Sequence, residues 1–272
     1  MEAPVLSGVY FFSIDILGHK LFRLERLSGQ KREYDLPIQI TSLALPNEMW
    51  QPVIIREQTK KDKEVTALLA TGPKGLCIIY VGAEAIEIVE LTNIELPPTV
   101  RFNDGKMSPD GKFYAGTMDK NELDPIGKLY EFCSNGVFRI IADDIVILNG
   151  PCFDASGNRM LYADSAKGVV YDARMDDGVD WRPHGHFAKI QSDIGAPDGM
   201  TFDSDGNVWI AIWGSGSVFQ FDATGVLIQS IDVGLKLVTS LCHDRDSACF
   251  YVTGQDDLTG TGAIKCITFE TL

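Results

Sequence analysis

Short hydrophobic runs, separated by glycine, aspartate, asparagine and serine, recur along the whole chain. Such runs predict β-strands joined by tight turns, and long stretches with the spacing of an amphipathic helix are hard to find. One unit, a polar turn that leads into an apolar strand, occurs three times. The copies are 109–116 (PDGKFYAG), 156–163 (SGNRMLYA) and 204–211 (SDGNVWIA). Their turn glycines stand at 111, 157 and 206, so the unit returns after 46 and then 49 residues.

A second strand follows each of these units at a similar offset. The three strands are 127–132, 168–172 and 216–221, with weaker copies at 20–24 and 262–267. A period in the forties with a glycine turn in each hairpin is typical of propeller blades of about four strands. The 272 residues accommodate six such units, which predicts an all-β, six-bladed β-propeller in one domain over 1–272. A β-sandwich or two β-domains is the alternative.

The charged segment 56–66 (REQTKKDKEVT) predicts a solvated hairpin tip or an insertion, with a docking surface as the alternative. The formal net charge is −14, which disfavours nucleic acid and anionic membranes as partners. The N-terminus has no basic leader, and no apolar stretch reaches membrane-spanning length. Six scattered cysteines predict buried thiols in a reducing compartment, so we expect a cytoplasmic protein.

The familiar signatures of several enzyme classes are missing from the sequence. Its four histidines have no metalloprotease spacing, and it contains no Gly-x-Ser-x-Gly motif and no glycine-rich loop that opens a helix. What recurs is a set of polar, glycine-flanked motifs at 101–106, 148–150 and 197–200. His184 and His186 flank a glycine in what reads as a polar loop, which predicts surface positions.

Within these motifs, Asn103, Asn149 and Asp198 each precede a turn glycine by eight residues. Residues at one fixed place in successive blades lie on one ring, so the three side chains should converge on one mouth of the central channel. Two amide oxygens and a carboxylate form a site suited to Ca²⁺, Mg²⁺ or Mn²⁺. The alternative is that Asn-Gly and Asp-Gly are only turn dipeptides.

These motifs resemble a known family, the senescence marker protein 30 / gluconolactonase / regucalcin family of six-bladed propellers. The segment 101–118 (RFNDGKMSPDGKFYAGTM) is very similar to the most recognisable segment of that family. Two further signatures match at 149–150 with 162–165, and at 197–200 with 205–211. The start of the chain, 2–4 followed by 11–16 (FFSIDI), is similar to the acidic N-terminal motif.

The resemblance implies roles for particular residues. Glu2, Asn149 and Asp198 match the ligands of one divalent cation, for which Ca²⁺ is expected first and Zn²⁺, Mg²⁺ or Mn²⁺ are open. Asp198 also matches the general base, and Arg101 and Asn103 match residues that contact substrate. In lactonases of the family the cation polarises the ester carbonyl while the aspartate activates water.

The sequence departs from the family pattern at several positions. Leu6 replaces the usual tryptophan, and the expected substrate-contacting glutamate is Asn121, with Glu122 one residue later. A one-residue displacement could point Glu122, the remaining candidate for substrate binding, away from the channel. The family's Phe-Gly-Gly is also missing after residues 239–240. Residues 243–245 differ from the family pattern as well.

The leading hypothesis is a metal-dependent hydrolase of cyclic esters, with a sugar lactone as its small-molecule substrate. A non-catalytic calcium-binding propeller and a hydrolase of phosphoesters or organophosphates are the alternatives. Family members generally carry a strand before the acidic motif, whereas Glu2 here follows Met1. We therefore expect the last blade to lack a partner strand and to present an open edge, and Glu2 to be less firmly held.

Overall fold

Six antiparallel sheets make up the fold in the computed structural model, which describes residues 1–58, 65–175, 178–244, 247, 249–256 and 261–268. The first three sheets are β1 (Glu2–Ser7), β2 (Tyr10–Asp15), β3 (Lys20–Glu25) and β4 (Lys31–Asp35); β5 (Ser42–Ala44), β6 (Thr66–Gly72), β7 (Gly75–Val81) and β8 (Ile86–Glu90); and β9 (Val100–Met107), β10 (Phe113–Asp119), β11 (Gly127–Phe132) and β12 (Phe138–Ile145). The other three are β13 (Leu148–Phe153), β14 (Arg159–Asp164), β15 (Val169–Arg174) and β16 (Arg182–Lys189); β17 (Ala196–Phe202), β18 (Val208–Trp213), β19 (Ser217–Phe221) and β20 (Leu227–Asp232); and β21 (Leu237–Asp244), β22 (Cys249–Gln255) and β23 (Gly262–Thr268).

The first strands of the six sheets form a closed ring. Each contacts the first strand of the next sheet, in the order β1, β5, β9, β13, β17 and β21, and β21 contacts β1 again. Within every sheet the strands follow chain order from this ring outwards. The fold is therefore the predicted six-bladed β-propeller.

The apolar core lies between neighbouring blades. The second strands and most of the third strands are largely buried, as in β7, where all seven residues are buried. The fourth strands are mostly exposed, as in β20 with Leu227 and Ile228. Apolar residues of one blade pack on those of the next, for example Tyr114 of β10 with Met160 of β14. Burial of this surface stabilises the ring.

The repeats of the sequence coincide with blade elements. The three copies form the turns that lead into β10, β14 and β18, and the strands predicted after them are β11, β15 and β19. The weaker copies are β3 and β23. The period was detectable because each blade reuses one turn and one buried strand.

A helix interrupts the second blade. Between β5 and β6 the chain forms a 3₁₀ turn (Glu48–Trp50) and α1 (Gln51–Glu57), and the Trp50 indole Nε1 donates to Gly111 O at 2.8 Å. The charged segment 56–66 lies in this connection between the antiparallel strands β5 and β6, where Arg56 and Glu57 end the helix and Thr66 begins β6. Residues 59–64 lie outside the described residues. The described helices are too short to cross a membrane.

All six cysteines are free thiols, as expected, although not all are buried. Cys266 is exposed because it lies on the outermost strand of its sheet, and Cys133 and Cys242 are half-buried. His184 and His186 are exposed, as predicted, but they lie on strand β16 rather than in a loop.

The last blade has three strands in the part of the chain that the structure describes. It is connected to the first blade through Met1, whose backbone nitrogen donates to Gly254 O at 3.3 Å. Thr239 Oγ1 donates to the carbonyl of Met1 in turn. These contacts link β21 and β22 to the start of β1, where Glu2 pairs with Ile14 of β2.

Candidate active site

A β-bulge occurs at the same place in five of the innermost strands. The register shifts between Glu2 and Val5, Asn149 and Cys152, Pro197 and Met200, and Val238 and Ser240, and opposite β9 between Ala115 and Thr117. A bulge bends a strand locally and re-aims its side chains. The Asn-Gly and Asp-Gly pairs therefore lie inside strands, and the turn-dipeptide interpretation is wrong.

The bulges bring the sequence-predicted residues to one cavity of about 450 Å³ at one end of the ring. Its lining includes every predicted site residue, namely Glu2, Arg101, Asn103, Glu122, Asn149 and Asp198. Glu122 is exposed and stands in the connection after β10, with a φ of 60°. Despite its displacement by one residue, it reaches the cavity and interacts electrostatically with Arg101.

A hydrogen-bonded chain of side chains crosses three blades on the wall of this cavity. Arg101 Nη1 donates to Asn103 Oδ1 at 2.7 Å, and Asn103 Nδ2 donates to Asn149 Oδ1 at 2.8 Å. Asn149 Nδ2 then donates to Ser165 Oγ at 2.8 Å, and Ser165 Oγ donates to Pro197 O at 2.6 Å. The chain fixes the orientation of both amides and ends next to Asp198.

Sequence reasoning assigned no role to Asp104, which also lines the cavity. Its Oδ1 accepts from Gly105 N at 2.7 Å, and its Oδ2 accepts from Gly150 N at 3.1 Å. The side chain therefore connects β9 to β13 while it adds negative charge to the cavity. The signal available in the sequence was that Asp104 directly follows Asn103 in the motif at 101–106.

The electrostatics of the cavity are dominated by three carboxyl groups. Burial raises the pKa of Glu2 to about 7. The positive charge of the Met1 amino group opposes this increase, and the negative charge of Asp104 adds to it. Burial also raises the pKa of Asp104 to about 6. Burial, and then the charges of Glu2 and Asp104, raise the pKa of Asp198 well above its ordinary value. A positive charge placed among these groups would favour their ionised forms.

The donor set can be tested against the expected cation. Among the described residues, no three His, Cys, Asp or Glu side chains lie close enough together to hold a metal ion. The expected ligand set is compatible with that finding, because it combines two carboxylates, from Glu2 and Asp198, with the amide oxygen of Asn149. Asn149 Oδ1 accepts one hydrogen bond and keeps a second lone pair. Oxygen donors of this kind suit a hard divalent cation, so the residues fit the group.

Of the changed positions 243–245, His243 and Asp244 do not line this cavity. His243 and Asp244 end β21, at the opposite end of the strand from Thr239 and the cavity. His243 stacks on Phe250 with ring centroids 4.6 Å apart, and Asp244 pairs with Arg26. Position 245 lies outside the described residues.

The fold and the cavity define a class of protein: a six-bladed β-propeller whose innermost strands place carboxylates, amides and one arginine at one end of a central ring. Residues 2–255 match the family described as the SMP-30/gluconolactonase/LRE-like region, and the chain belongs to that family.

Individual relatives differ in how much of each chain is aligned. The chain is 28% identical over 240 residues to the pentonolactonase XacC of Haloferax volcanii, covering 86% of this chain and 75% of that protein. It is 32% identical over 164 residues to an uncharacterised protein of Sulfolobus acidocaldarius, covering 59% and 60% of the two chains, respectively. The structure is similar to that of a calcium-binding protein, regucalcin, from Agrobacterium tumefaciens, with a TM-score of 0.77 and 24% identity over 94% of this chain and 83% of that one. This last likeness concerns the fold.

Proposed function

We propose that the protein hydrolyses cyclic esters in a reaction that requires a divalent cation, with sugar lactones as the starting substrate class. The observation that carries the proposal is one cavity in which Glu2, Asp198 and Asn149 present oxygen donors beside Arg101. The name of the Haloferax volcanii relative, a pentonolactonase, supports the substrate class. Glu2, Asn149 and Asp198 would hold the cation, with Ca²⁺ first among the hard divalent ions.

Asp198 is the general base of the proposed reaction. Its carboxylate takes a proton from water while the water oxygen bonds to the carbonyl carbon. The ring C–O bond then breaks, and the proton passes to the ring oxygen, which leaves an open-chain hydroxy acid. Burial raises the pKa of Asp198 above its ordinary value, which makes its carboxylate a stronger base. When bound, a divalent cation would polarise the ester carbonyl and stabilise the charge on its oxygen.

Arg101 orients the substrate in this proposal. Its Nη1 is used by Phe102 O and Asn103 Oδ1, so the guanidinium is held in place while its other nitrogens are free to donate to a lactone oxygen. Glu122, at the exposed side of the cavity, is the second substrate contact. Asn103 can contact the substrate through its Oδ1 atom, because both of its amide hydrogens are donated within the protein.

The function is tested by proton release over a panel of lactones, with and without a chelator. We expect hydrolysis that is lost with the chelator and restored by Ca²⁺. Binding of Ca²⁺ without hydrolysis of any lactone would support the non-catalytic alternative. Hydrolysis of phosphotriesters in place of lactones would support the alternative of a hydrolase of phosphoesters or organophosphates.

Arg101→Ala should separate substrate binding from cation binding. We expect kcat/KM for lactones to fall by about 10- to 100-fold, since a hydrogen bond from a charged donor is lost. The cation content, measured by elemental analysis, should stay at the parental value because a guanidinium has no lone pair for a cation. Lys31→Ala, on the exposed side of β4, is the control. Loss of the cation in Arg101→Ala would contradict the assignment.

Thr239→Val should weaken cation binding through Glu2. The Thr239 hydroxyl donates to the Met1 carbonyl, and a hydrogen bond from Thr239 opposes the rise in the pKa of Glu2. Valine has the same shape without the hydroxyl, so we expect the Kd for Ca²⁺ in calorimetric titration to rise by about 10-fold. Thr201→Val, on β17 outside the cavity, should leave the Kd unchanged. An unchanged Kd in Thr239→Val would show that Glu2 is held by other contacts.

A further inference from the structure

Residues at or near the ends of the second strands of four blades line the first cavity. In each blade the start of the innermost strand pairs with the end of the second strand, as in the pair Ala196 and Trp213. The second strands contribute Ile16 after β2, Met118 in β10, and Trp213 at the end of β18. Three of the four blades thus contribute an apolar side chain to the lining; of these, Met118 is buried whereas Trp213 is exposed.

The neutral side chains Asn103 and Ser165 of this cavity are hydrogen-bonded within the protein. Asn103 Nδ2 donates to Leu148 O at 2.9 Å and to Asn149 Oδ1 at 2.8 Å, which uses both of its hydrogens. Ser165 Oγ is used by Pro197 O and Asn149. Arg101 and Glu122 are the charged side chains that remain at the open side.

Trp213 is the most exposed apolar side chain of this lining, at 48%. A second cavity of about 780 Å³ adjoins the first and shares Ser165, Ala166, Ala196 and Trp213 with it. Ile194, which is also exposed, lines this second cavity together with polar side chains that include Lys167, Lys189, Gln191 and Asp193. Trp213 therefore lines both cavities, the first of which contains Asp198 and the second Ile194.

We propose that the preferred substrate is a lactone whose ring carries an apolar alkyl or aryl substituent, and that this substituent lies against Trp213 in the second cavity. The inference rests on the proposed lactone hydrolysis, and it specifies that the part of the substrate away from the ester is apolar. The ring occupies the first cavity beside Asp198 and Arg101, and Trp213 determines the preference because contact with the substituent removes apolar surface from water.

The test compares kcat/KM for three lactones: δ-decalactone, δ-valerolactone and glucono-δ-lactone. The first two share a ring and differ by a pentyl substituent. We expect δ-decalactone to exceed each of the others by about 10-fold or more, the range over which hydrophobic contacts discriminate. Trp213→Ala should lower the ratio of δ-decalactone to δ-valerolactone by about 10-fold, and Trp213→Phe should retain most of it. Leu17→Ala, which removes an exposed side chain next to Ile16 outside the cavity, should leave the ratio at the parental value.

The outcomes separate this inference from the function on which it rests. If glucono-δ-lactone is hydrolysed at least as efficiently as δ-decalactone, lactone hydrolysis stands and the apolar preference is overturned. A ratio that is the same in the parent and in Trp213→Ala overturns the role of Trp213. If no lactone is hydrolysed by the parent, the proposed function itself fails and takes this inference with it.

Discussion

Asp198→Asn should lower kcat for lactone hydrolysis by about 10²- to 10⁴-fold, the contribution that a general base makes. Asparagine has nearly the same shape, so the wall of the cavity and the bulge in β17 should be preserved. The amide cannot accept the proton of the attacking water, and one negative charge is removed from a site that already contains Glu2 and Asp104. The measurement is kcat at a Ca²⁺ concentration that saturates the variant, with cation content determined in parallel.

Asp205→Asn is the matched control, because Asp205 is an exposed carboxylate close in sequence that lines neither of the two cavities. Its kcat should equal that of the parent. A parental kcat in Asp198→Asn would show that another group activates water. If the variant loses its cation and extra Ca²⁺ does not restore it, the result would support Asp198 as a ligand of the cation but would not support it as the general base.

The sequence was sufficient to predict the ring and the residues on it, for a physical reason. Each blade buries the same second strand and reuses the same turn, so a fixed offset from the turn glycine identifies a fixed depth in the channel. That offset placed Asn103, Asn149 and Asp198 at one cavity. Glu2 came from family resemblance, because the first blade has no copy of the turn unit at the same strength. Arg101 came from it as well, because the corresponding positions of the other two motifs are Ile147 and Ala196.

The bulges could not be predicted from periodicity. Strict alternation would place Asn103 and Asp104 on opposite faces of β9, yet both line the cavity, because the register shifts opposite them. The helix over Gln51–Glu57 was missed since its seven residues give too short a pattern to detect. The apolar part of the lining was missed as well, because Ile16, Met118 and Trp213 resemble ordinary core residues until the blades are arranged in a ring.

Leu148→Ala should destabilise the fold by about 2–5 kcal/mol, the range for removal of a buried leucine side chain. Leu148 is fully buried between the third and fourth blades, one residue before Asn149. Its side chain fills the space beside Gly116 of β10, where an added Cβ would stand 2.0 Å from Leu148 Cδ2. Because residue 116 has no side chain to move into the hole, we expect a cost in the upper half of the range. The free energy of unfolding in urea measures it.

The double variant Gly116→Ala/Leu148→Ala distinguishes this packing from a general loss of apolar surface. Gly116→Ala alone should cost about 1–3 kcal/mol, because its Cβ overlaps the leucine. In the double variant the new methyl group enters the space that the leucine has left, so the combined cost should be smaller than the sum of the two. Leu227→Ala, on the exposed strand β20, should change stability by no more than about 0.5 kcal/mol. Strict additivity in the double variant would mean that Gly116 and Leu148 do not pack as partners, and that some other contact sets the spacing between β10 and β13.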